Sequence, residues 1–182
     1  MTRSGLFLLM VVFVGMSAEG QVKSFDSVKD ETWVTYRLSH PLHKIEAMSK
    51  DVNFHVVIDT VKKEIQAVSA QVDVTTFDSG NSNRDSHAME VIDAIDFPEV
   101  TFSGKTMSHS GDSLLVSGDL NFHGIQKNIA VSVIPEWLPA ELKVHGEFAV
   151  SLTDFKIDRP SLLMIPVSDT LRFSLSAVFQ LR

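Results

Sequence analysis

Cysteine is absent from the sequence, which excludes disulfides, thiolate metal centres and cysteine nucleophiles together. Basic residues are in deficit: 16 Lys and Arg stand against 23 Asp and Glu, a net charge of −7. A chain of that sign repels phosphate backbones, so nucleic acid is a poor partner. Serines are plentiful, yet none lies in a Gly-x-Ser-x-Gly elbow, and no two carboxylates have a spacing that forces acid–base chemistry. A serine hydrolase needs serine, histidine and an acid brought together at an oxyanion site. No residue is therefore singled out as catalytic, and the chain is not read as an enzyme. No internal repeat or low-complexity linker divides its 182 residues, a length that suits one domain with a core of its own.

Long apolar runs are also missing, with one exception at the start. Leu6–Val14 is unbroken for nine residues, Arg3 precedes it, and Ala18 and Gly20 follow as small residues before Gln21. Positive charge, apolar stretch and small-residue cleavage site, in that order, read as a secretory signal peptide over residues 1–20. The run is too short for a stable bilayer span; the alternative is an uncleaved N-terminal anchor. The absent cysteine excludes a lipid-anchored signal. The expectation is an exported protein, periplasmic or secreted, whose mature domain is residues 21–182. Arg3 and Glu19 cancel, so its net charge stays at −7.

What the mature chain has in abundance is alternation. Leu114, Val116, Gly118, Leu120 and Phe122 fall on one face, against Ser117, Asp119, Asn121 and His123. Leu142, Val144, Gly146, Phe148, Val150 and Leu152 repeat the pattern, as do Leu171, Phe173, Leu175, Ala177, Phe179 and Leu181. Period two over ten residues marks a strand with one buried and one wet face. Further strands are expected near Thr32–Ser39, Met48–Asp59, Glu64–Thr76, Pro98–His109 and Ile129–Ile134. Successive long strands without intervening helices predict an all-β, antiparallel sheet of roughly eight strands closed into a single barrel. Gly104, Gly118 and Gly146 fall inside strands, where glycine usually marks a bend or bulge. Ser82–Ile95 breaks the pattern. Ala88, Val91, Ile92 and Ile95 have helical spacing, Ser82 and Asp85 resemble a capping pair, and Phe97-Pro98 ends the segment. It is expected to be a short helix across one barrel mouth or packed on the outside. Whether the phenylalanine-rich interior is solid or holds a ligand is not decided by periodicity.

Five motifs bear on that question. Thr76 to His87, reading TFDSGNSNRDSH, resembles the T-x-N-x-x-RD-x-H region of the YceI-like family. Asp96 to Phe102 resembles its F-P-x-I-T-F element, and Gly118 to Lys127 its G-x-L-T-I-x-G-V-T-K hairpin. Asp154 to Ile157 and Val167 to Leu171 resemble its last two elements. Order and spacing agree over about Trp33–Phe179. The chain departs from the family at His40-Pro41-Leu42-His43, where a glycine is usual, and at Ala88, where leucine follows the histidine. The resemblance implies a lipocalin-like barrel, exported, that binds a polyprenyl lipid or isoprenoid quinone as ligand rather than any cofactor. A lipid tail would then lie among Phe102, Leu120, Phe122, Phe148, Leu152 and Phe173. The rival is a solid barrel acting as an extracytoplasmic interaction or stress-related domain.

Arg84 and His87 suit a polar head group at the mouth, quinone oxygen or pyrophosphate, since a planar guanidinium matches phosphate and helix N-terminal amides favour anions. Alternatively, Arg84 and Asp85 form a local ion pair that fixes the helix. His40 and His43, a His-x-x-His with Pro41 inside it and no thiolate in the chain, are weak evidence for a metal, and packed or solvated histidines are the expectation. His123 and His145 belong to wet faces. Leu162-Leu163-Met164-Ile165, flanked by Pro160 and Pro166, reads either as a plug packed over one barrel end or as a lip that touches a membrane during ligand exchange.

Overall fold

The computed structural model describes residues 21–182. The signal peptide expected at residues 1–20 lies outside the described residues. Among them, no helix is long and apolar enough to cross a membrane.

The strands, in chain order, are β1 (Val22–Asp26), β2 (Trp33–His40), β3 (His43–Ser49), β4 (Val52–Asp59) and β5 (Glu64–Asp73). After one helix, α1 (Ser82–Val91), come β6 (Glu99–Ser110), β7 (Ser113–Phe122), β8 (Ile125–Trp137), β9 (Glu141–Ser151), the two-residue β10 (Ser161–Leu162) and β11 (Ile165–Pro166), and β12 (Thr170–Gln180). Ten of them form one curled antiparallel sheet in the order β1-β4-β5-β6-β7-β8-β9-β12-β2-β3, while β10 and β11 make a separate hairpin. Alternation decides which face curls inward: Leu114, Val116, Leu120 and Phe122 are buried on β7, and Leu142, Val144 and Val150 on β9. At one end the sheet closes on itself. Ser27 bridges Phe179, and Val28 N–H donates to Val178 O at 2.8 Å. Phe179, Leu142 and Ile58, almost wholly buried, fill that end.

Three expectations about the elements need correction. The sheet has ten strands rather than about eight, because β1 was not anticipated and the segment expected at Met48–Asp59 runs from the end of β3, which begins at His43, into β4. Its break at Lys50–Asp51 carries no glycine or proline; Ser49 Oγ turns the chain by accepting from Asp51 N–H at 3.1 Å. The helix stops at Val91, short of Ile95, which is exposed. Its cap is Asn81, one residue before Ser82: the Asn81 side chain accepts from Arg84 N–H at 3.1 Å. Of the three glycines, Gly104 lies at a shift in the β6–β7 register. Gly118 is forced by close approach, since a Cβ there would run into Ser103 O. Gly146, by contrast, sits in regular pairing and leaves space that Val133 and Leu175 occupy.

Candidate functional site

The inward faces do not fill the interior. An upper cavity of about 180 Å³ lies beneath α1, and a lower one of about 110 Å³ reaches toward the closed end. Both are walled by valine, leucine, isoleucine and phenylalanine from strands that also form the sheet. Leu120, Phe122, Phe148, Leu152 and Phe173 line the upper cavity; Phe102, Leu120 and Phe148 line the lower. Thus all six side chains expected around a tail face one cavity or the other.

Polar groups gather where α1 covers the upper cavity: Tyr36, Arg84, Asp85 and His87 are the ones that line it. The loop before the helix is held in place by β3. Met48 and Asp78 exchange both backbone hydrogen bonds, at 3.0 and 2.9 Å. Asp85 turns back to this loop and accepts from Ser79 N–H at 3.2 Å. Arg84 and Asp85 therefore do not form the local ion pair that was one of their two readings, and no carboxylate lies within ion-pair distance of Arg84 among the described residues. His87, largely exposed, has Glu90 Oε2 at 3.6 Å. Tyr36 was missed in the sequence, although its place between Val34 and Leu38 on one face of β2 carries the same period-two signal. Its ring leans on Phe77 at 5.3 Å. Burial raises the phenol pKa above its ordinary value, Asp85 raises it further, and Arg84 opposes them. The hydroxyl is accordingly a neutral hydrogen-bond donor across the physiological range.

The other histidines fall elsewhere. His40 is buried; its Nδ1 accepts from Leu42 N–H at 3.2 Å, which leaves Nε2–H to donate to Ile165 O at 3.0 Å. His123 is not on a wet face. It occupies the β7–β8 turn with a positive φ of 51°, its side chain is only 11% exposed, and Nδ1–H donates to Phe155 O at 2.8 Å. Among the described residues no group of three or more His, Asp or Glu side chains is placed to hold a metal.

The apolar run near the C-terminus does not pack over the barrel. Pro160 at its foot lines the upper cavity. The foot is pinned by Arg159, which donates to Val167 O, and by Ser168 N–H to Ser39 O at 2.7 Å. Its tip projects: Leu163 is 76% and Met164 96% exposed, both with positive φ. Leu42, at the β2–β3 turn tethered through His40, is 61% exposed. The tip is therefore a protruding hairpin rather than a plug.

Against known proteins, the YceI-like domain model matches residues 25–179. Protein YceI of Escherichia coli O157:H7 is 22% identical over 162 residues, covering 84% of this chain and 85% of that one. Among solved structures, BcnA of Burkholderia cenocepacia superposes with a TM-score of 0.76 at 18% identity, over 84% of this chain and 98% of that one. A polyisoprenoid-binding domain from Saccharophagus degradans, implicated in plant cell wall breakdown, gives 0.68 at 12%, over 89% of this chain and all of that one. At such identities the structural likeness speaks for the lipocalin-like barrel fold alone.

Proposed function

The chain belongs to the YceI-like domain family, and on that premise we propose that it is an exported, non-enzymatic carrier of an isoprenoid-type lipid, either a polyprenyl lipid or an isoprenoid quinone. The observation that carries this reading is an apolar interior left open by its own side chains, with the charged groups gathered at one mouth. A tail enters between Leu120, Phe122, Phe148, Leu152 and Phe173 and is driven by apolar burial, roughly 0.8 kcal/mol per CH₂ as an upper bound. Realised affinities are far lower, nearer 0.3 kcal/mol per heavy atom for large ligands, so a few buried isoprene units suffice. The head stays at the mouth, where the Arg84 guanidinium and the Tyr36 hydroxyl donate to phosphate or quinone oxygen and His87 flanks them. A polyisoprenoid-binding relative of the same fold supports the choice of ligand class. The exposed tip, Leu163 and Met164 beside the mouth, would touch a bilayer briefly while cargo is exchanged. The protein works outside the cytoplasm, in the periplasm or beyond it.

The test is native mass spectrometry of the mature protein purified without detergent, followed by organic extraction. The expected result is a defined mass increment whose extract is a prenyl lipid or quinone. A bare protein that also refuses added polyprenyl lipids and quinones would overturn the proposal and favour an interaction domain.

A further inference from the structure

The two cavities share a wall. Val34, Val72, Val100, Leu120 and Phe148 line both, so these five side chains form a waist at which the chambers meet. The chambers differ in kind. The upper holds every polar group of the site. The lower is walled by aliphatic and phenyl side chains apart from Gln71, whose amide donates outward to Glu99 at 2.8 Å. A tail with its head at Arg84 must therefore cross the waist to use the lower chamber.

The waist has one aromatic member. Its valines are branched at Cβ and stiff at χ1, and Leu120 is buried on β7. Phe148 is the only ring, and it is half-buried. It stacks on Phe173, its register partner on β12, with centroids 4.7 Å apart and planes 10° apart. Phe173 is in turn aligned with Tyr36 on β2. The ring thus has a defined resting place against one wall, at the level where the chambers meet.

We infer that Phe148 is the gate that sets how long a tail the barrel accepts: with the ring in its resting place on Phe173 only the upper chamber fills, and tails that reach the lower chamber must displace it. This rests on the carrier reading and adds the residue that discriminates among its ligands. The test offers an equimolar mixture of prenols of three, four, six and eight isoprene units to the wild-type mature protein and to three variants, and reads the bound lengths by native mass spectrometry. Phe148→Leu and Phe148→Ala are expected to shift occupancy toward the six- and eight-unit prenols by about tenfold relative to the three-unit one. Val72→Phe, which narrows the waist from the opposite wall, is expected to shift it toward the shortest. Phe148→Leu and Val72→Phe keep the inference testable if Phe148→Ala does not fold. Identical length profiles in folded variants and wild type, with binding retained, would overturn the gate while leaving the carrier intact. Wild-type protein that binds none of the prenols would overturn the carrier reading and the gate with it.

Discussion

The hairpin tip gives a prediction in which two physical effects have opposite signs. Leu163 and Met164 have φ of 53° and 65°, the two-residue turn that Asn-Gly favours and that leucine and methionine resist. A left-handed conformation costs an ordinary L-residue roughly 1–2 kcal/mol, so the pair stores about 2 kcal/mol or more. Replacing them by Leu163→Asn and Met164→Gly relieves that cost, less roughly 0.5–1 kcal/mol for the freedom glycine loses on folding. Little burial is forfeited, because the side chains are 76% and 96% exposed. The net expectation is a gain of about 1–2 kcal/mol, which at about 2–4 °C per kcal/mol for this size raises Tm by roughly 3–6 °C. Were the tip a plug, losing a buried leucine and methionine would instead cost several kcal/mol. Calorimetry or a urea titration therefore decides by sign. The second readout is transfer of a fluorescent prenyl lipid to phosphatidylglycerol-containing vesicles, which should slow severalfold in the stabilised variant. A lowered Tm would refute the strain calculation; a raised Tm with unchanged transfer would refute the membrane-touching role.

Four further outcomes are expected. Tyr36 is the single tyrosine, so tyrosinate absorbance titrates one site: its midpoint should lie above 10, fall in Asp85→Asn and rise further in Arg84→Met; a midpoint at the free value would contradict its burial. Arg84→Met should weaken binding of a prenyl phosphate about tenfold or more, as for loss of a charged hydrogen bond of about 1.5–3 kcal/mol, with Tm almost unchanged. Asp119, held below the ordinary carboxylate range first by Lys105 and then by Asn128, and Asp169, held there by the Ser151 hydroxyl and Thr153 N–H, have lowered folded pKa values. Their stabilisation is present above the unfolded value of about 3.9 and is lost as pH falls through the folded one, so Asp119→Asn and Asp169→Asn should flatten the urea midpoint between pH 5 and pH 2. Gly118→Ala should destabilise by about 1–3 kcal/mol or more through overpacking, because its Cβ meets the backbone of Ser103 and Gly104 as well as the Phe102 ring; unchanged melting would refute the close approach.

The strands that were legible in the sequence are those with one wet and one buried face, such as β7 and β9, where Lys143, His145 and Glu147 alternate with the core. β1 was not legible because four of its five residues are exposed and it offers no period. The β3–β4 break was hidden because a serine hydroxyl makes the turn that glycine or proline would have announced. The helix cap was misplaced by one residue because Asn81 and Ser82 are both good caps, and only the Asn81 contact with Arg84 N–H decides between them. The six residues expected around a tail face the cavities because inward-facing positions line any hollow the barrel has. The hollow itself was not legible, since a filled barrel and an open one share the same alternation; nor was the waist, which brings together five strands far apart in sequence.

The place of β12 in the sheet also bears on how the chain folds. Its centre pairs with β2 on one side, Leu175 opposite Val34, and with β9 on the other. The second strand of the sheet therefore waits for the last one to be made, and loop closure over most of the polypeptide precedes that pairing. Topologies dominated by such distant contacts fold slowly, and until β12 arrives both β2 and β9 present bare, pairing-competent edges. A chain that lacks β12 is thus an open sheet, and a truncation anywhere within that strand should yield an aggregating protein rather than a smaller barrel.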